Sequence, residues 1–106
     1  MIEKMEDGPE GVAALRASGT VLKHDVTEAM RLVGTADRMM VVVAPRFDGY
    51  MAELIGGLRQ SCEDGQAGRC ALVVPEDMRS EADLQGEGGA FRIFTVHAEA
   101  ERWLGS

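Results

Sequence analysis

Few side chains in this 106-residue sequence are of kinds that do chemistry, and their spacing keeps them apart. His24-Asp25 is an adjacent imidazole–carboxylate couple, and a carboxylate can orient an imidazole and hold its charge for acid–base work. Neighbouring positions on a helix diverge, however, so the pair reads as a first-turn capping aspartate with a solvated histidine beside it. His97 opens the last helical stretch and reads as surface. Cys62 and Cys70 form no C-x-x-C pair and have no histidine close in sequence. Neither a zinc site nor an activated nucleophile is expected from them; both read as free, mostly buried thiols. Gly86-Glu87-Gly88-Gly89 lacks the Lys-Ser/Thr pair of a phosphate loop, and its acidic neighbours repel phosphate. The sequence therefore predicts no catalytic residue, no metal ligand and no cofactor.

The most informative stretch is Phe47-Asp48-Gly49-Tyr50. It follows a buried strand, and open α/β sheets bind their ligands at the carboxyl ends of such strands. Asp48 suits the N-cap of the helix that follows, because its carboxylate can accept from the free N–H groups of a first turn. Phe47 and Tyr50, if exposed, suit a partner surface, since aromatic rings bury large area at low entropic cost. The seven methionines are soft, adaptable core filler. Met30, Met39, Met40 and Met51 could alternatively line a pocket for a small apolar ligand.

These residues must be held by a scaffold, and hydrophobic periodicity outlines it. Residues 2–6 and 11–18 read as two strands joined at Gly8-Pro9, with Val12 and Ala14 alternating against Ala13, Leu15 and Ala17. Residues 24–33 carry Val26, Ala29, Met30 and Val33 at helical spacing, with Gly34 placed to end the helix. Residues 39–44 and 70–74 are continuous apolar runs closed by Pro45 and Pro75, as in strands covered on both faces. A helix over 49–61 places Met51, Leu54, Ile55 and Leu58 inward. Gly56-Gly57 within it implies either close packing or an early end. A short acidic helix over 76–84, a strand over 91–96 and a helix over 97–104 complete the pattern. Ala100, Trp103 and Leu104 form the inner face of that last helix. A hairpin followed by strand–helix alternation predicts one α/β domain over 1–106, with a mixed five-stranded sheet and about four helices. Val41, Val42, Val43, Leu72, Val73 and Val74 are expected in its core, covered by Met51, Leu54, Leu58 and Trp103.

The net charge is −7, and two segments hold all of it. Residues 1–10 carry Glu3, Glu6, Asp7 and Glu10 against Lys4. Residues 76–87 carry Glu76, Asp77, Glu81, Asp83 and Glu87 against Arg79. No basic stripe exists, so neither nucleic acid nor an anionic membrane surface is an expected partner. The acidic start lacks an apolar signal region, and no apolar run approaches the ~20 residues that span a bilayer. A cytoplasmic chain is the expectation. Apolar residues near strand ends and the hairpin edge suggest a modest homodimer.

Taken in order, several stretches resemble SpoIIAA-like proteins of bacteria. They are Met1-Ile2-Glu3, Pro9-Glu10-Gly11-Val12, Ala17-Ser18-Gly19-Thr20 with Asp25, Phe47-Asp48-Gly49 after a buried strand, Phe91-Arg92-Ile93-Phe94, Glu99-Ala100 and Trp103-Leu104. The resemblance implies the fold of STAS domains, which is likened in turn to the lipid-binding domain of CRAL-TRIO proteins. It implies a non-enzymatic interaction or regulatory domain. The alternative is a carrier for a small apolar or lipid-like ligand. In anti-sigma-factor antagonists of this fold a phosphorylatable serine follows an aspartate at the start of the helix after the central strand. Here that place reads Asp48-Gly49-Tyr50, and residues 36–60 contain no serine or threonine. A serine switch is therefore chemically impossible there. Leu22 also departs from the pattern, standing where relatives carry a helix-capping threonine, so the first helix is expected to begin late or to be poorly capped.

Overall fold

The structure is a computed structural model that describes residues 1–5, 11–33, 37–49, 51–63, 68–83 and 90–105, with the side chains of 30, 32, 33 and 61–63 left aside. Three strands open the chain: β1 (Ile2–Lys4), β2 (Val12–Ala17) and β3 (Thr20–Val21). Helix α1 (Lys23–Val33) leads to β4 (Arg38–Val43) and β5 (Asp48–Gly49). Helix α2 (Met51–Glu63) leads to β6 (Arg69–Val73). A 3₁₀ turn (Glu76–Met78) and α3 (Arg79–Asp83) precede β7 (Phe91–Phe94) and α4 (His97–Gly105). The main sheet has five strands in the order β1-β2-β4-β6-β7. Strand β1 runs antiparallel to β2, and the remaining pairings are parallel. The mixed five-stranded α/β architecture is thus the one the periodicity predicts. The Gly8-Pro9 turn, Gly34 and the 86–89 glycines lie outside the described residues.

Because side chains alternate along a strand, each apolar run feeds two cores. On one face Leu15, Met39, Val41, Leu72, Phe91 and Ile93 pack under Val26 and Ala29 of α1 and Met51, Leu54, Ile55 and Leu58 of α2. On the other face Ala14, Met40, Ala71 and Val73 pack under Ala100 and Leu104 of α4. Met39 and Met40 are both fully buried but point to opposite faces, and Met51 belongs with Met39. Met39, Met40 and Met51 therefore fill two cores rather than lining one cavity, and the Met30 side chain lies outside the described residues.

Two expectations about the core need correction. Val42 is half-buried, not buried, and Trp103 is half-buried on the α4 face, opposite Met51, Leu54 and Leu58. Both follow from coverage of that face by α4, a helix of nine residues. Trp103 is held by its neighbours instead of by depth. Its ring lies 5.7 Å from Phe94, with the Arg69 and Arg92 guanidinium carbons over it at 5.5 and 5.7 Å. Arg69 Nη1 also donates to the Trp103 carbonyl at 2.8 Å, placing a cation on the last turn of α4, where the helix dipole is negative. Arg69→Lys keeps the charge but loses the planar stack. It is expected to lower stability by about 1 kcal/mol, read as a shift of the urea midpoint.

The cysteines also differ from expectation. Cys70, fully buried in β6, is disulfide-bonded rather than a free thiol. The Cys62 side chain lies outside the described residues. The Cys70 sulfur lies 3.7 Å from the Leu58 carbonyl oxygen, a contact without donation, since a disulfide sulfur carries no proton. Sequence spacing alone could not show that Cys70 is bonded, because a disulfide depends on an approach made only in the folded chain.

Candidate functional site

The residues singled out from sequence lie where the parallel strands end. Beyond β4, the Ala44 N–H donates to the Ala17 carbonyl at 2.8 Å, and the Phe47 N–H closes a turn onto the Ala44 carbonyl at 3.0 Å. Gly19 turns the end of β2 into β3 with φ of 59°, a conformation costly for any residue with a Cβ. The Asp48 N–H then donates to the Gly19 carbonyl at 2.7 Å. This starts a separate two-stranded parallel ribbon in which Thr20 faces Asp48 and Val21 faces Gly49. A Cβ on Gly49 would stand 2.8 Å from the Val21 carbonyl oxygen and 3.2 Å from the Phe47 ring, so the ribbon closes only because residue 49 has no side chain.

Asp48 is therefore not the N-cap of α2. It belongs to β5, and α2 begins at Met51, three residues further on. The backbone of 48–49 takes extended pairing with β3 in preference to an early helical turn. The Asp48 side chain is exposed and has no hydrogen bond or ion pair among the described residues. Phe47 is half-buried and packs against the core, so most of its ring is structural. Tyr50 lies outside the described residues. A depression of about 230 Å³, lined by Thr20, Val21, Leu22, Asp48 and Gly49, opens on the ribbon.

Leu22 stands at its rim with 51% of its surface exposed. It occupies the N-cap position of α1, which begins at once at Lys23 rather than later. Asp25 explains the clean start: its Oδ2 accepts from the Leu22 N–H at 2.9 Å, half of a capping box. Leucine can offer no oxygen to complete the other half. Leu22→Thr is expected to raise stability by about 0.5–1 kcal/mol, measured by urea denaturation.

Asp25 Oδ1 also lies 3.4 Å from His24 Nε2, so the two side chains meet, contrary to expectation for helix neighbours. The histidine is 73% exposed. His97 pairs with Glu101 at 2.9 Å, one turn along α4. Among the described residues no three His, Cys, Asp or Glu side chains gather as a metal site would require. No helix among them is long and apolar enough to cross a membrane. The chain matches no family model and no curated protein.

Thr20 and Leu22 were not legible as site residues, because β3 is two residues long and gives no alternation to read. The signal that pointed nearby was the leucine standing where a capping residue is favoured.

Proposed function

We propose that the chain is a SpoIIAA-like protein-interaction domain whose partner docks on the β3–β5 ribbon, without a serine phospho-switch. The observation that supports this most is the exposed Leu22 beside the Asp48 carboxylate, which has no partner among the described residues, at the rim of one depression. An apolar anchor next to an unused acceptor is the composition of a small protein contact. Placing leucine at an N-cap forgoes stability, and stability is the usual cost of function. Leu22→Thr should therefore strengthen the fold and weaken the contact, whereas Asp48→Lys should weaken the contact alone. Affinity capture with the wild-type chain and both variants tests this. A specific partner lost in both variants supports the reading, and partner binding that survives both ends it. Binding is constitutive on this reading. A stoichiometric phosphate on Thr20, which faces Asp48 across the ribbon, would show a switch in altered form.

We place the domain in the cytoplasm, where thiol systems keep most cysteines reduced. The Cys70 disulfide would then be one of the few that persist there. Cell fractionation with immunodetection of the chain tests the placement: recovery in the soluble cytoplasmic fraction is expected, and recovery outside it would overturn it.

A further inference from the structure

The two glycines of α2 differ in what they touch. Gly57 is required by packing, since a Cβ there would meet Val26 Cγ1 at 2.5 Å. Gly56 is not: a Cβ would meet nothing within 4 Å, and the residue is exposed in the middle of α2. An interior helical glycine costs about 1 kcal/mol against alanine, and no contact within the described fold requires it. Gly56 opens into a groove of about 330 Å³ between α1 and α2. Lys23 of α1 and Glu53 of α2 line this groove, with Thr27 and Gln60. Neither Lys23 nor Glu53 has an ion-pair partner among the described residues.

A surface holding one unpaired cation and one unpaired anion is complementary to itself under two-fold rotation. In an isologous contact residue i meets j while j meets i, so Lys23 of each copy can meet Glu53 of the other, and both charges are used. An α-helix backbone can then approach at Gly56 more closely than a side chain would permit. We propose that this groove is a homodimer interface, with α2 crossing its two-fold copy at Gly56 and two reciprocal Lys23–Glu53 pairs flanking the crossing. The occupant is a second copy of this chain. The inference does not rest on the β3–β5 reading.

Sedimentation velocity across a micromolar concentration series tests it. The wild type should dimerise. Lys23→Glu and Glu53→Lys should each weaken dimerisation by roughly tenfold or more, because each sets two like-charge pairs in the interface. Mixing the two single variants should restore a dimer, since every cross-chain pair is then opposite in sign. An effect confined within one chain would not be rescued by mixing. Gly56→Leu should abolish the dimer while far-UV circular dichroism stays unchanged. A monomeric wild type at high micromolar concentration overturns the proposal. So does a dimer indifferent to both charge reversals, or a mixture that stays monomeric.

Discussion

Gly49→Ala is expected to destabilise the protein by about 2 kcal/mol, in the range for atoms forced into filled space. The added methyl would stand 2.8 Å from the Val21 carbonyl oxygen and 3.3 Å from Val21 Cβ. The first of these is backbone, so no rotamer change relieves it, and β5 must move away from β3. The ribbon contains one pair of two-residue strands, too short to absorb the shift elsewhere. Hydrogen exchange at the Asp48 amide, bonded to the Gly19 carbonyl at 2.7 Å, should accelerate with the loss of stability. Helix α1 and the five-stranded sheet should keep their protection. Unchanged stability and unchanged Asp48 exchange would mean that the ribbon is not closed as described.

Gly57→Ala is expected to cost about 1–2 kcal/mol, the strain of overpacking less the helix-propensity gain of losing a glycine. The obstacle is Val26 Cγ1 at 2.5 Å, on a buried β-branched side chain that is stiff at χ1 in a helix. Val26→Ala alone should also destabilise, through loss of buried methyls. Together the changes should cost clearly less than their sum, because each makes room for the other. Gly56→Ala, one residue away, should instead stabilise the single chain, measured below the concentration of any self-association, by up to about 1 kcal/mol. Additive behaviour of Gly57 and Val26, or a common sign at the two glycines, would contradict this packing of α1 on α2.

The main sheet was legible because its central strands are unmixed apolar runs. Val41-Val42-Val43 and Leu72-Val73-Val74 lack helical spacing, and a proline closes each. Helices α1, α2 and α4 were legible from three- and four-residue recurrence, to within a residue or two at their ends, whereas the expected helix over 76–84 is a 3₁₀ turn over Glu76–Met78 followed by α3. What escaped the sequence were features set by tertiary contact. β5 took Asp48 from its expected capping role because its partner, Thr20-Val21, lies far away in the chain. The sulfur bond of Cys70 and the enclosure of Trp103 by Arg69 and Arg92 likewise depend on approach across elements. Phe47 reads as a surface aromatic by composition, yet half of it is spent on the core. Of the expected site, Asp48 and Gly49 do border one depression, but Leu22 and Thr20 complete it.

The most direct test of the interaction-domain reading is native mass spectrometry of the protein recovered gently from its own cells. The expected spectrum contains the chain bound to another polypeptide, with no small-molecule adduct, and the Gly49→Ala variant should lose that polypeptide. A stoichiometric apolar adduct on an otherwise unaccompanied chain would contradict the reading and establish a carrier in its place.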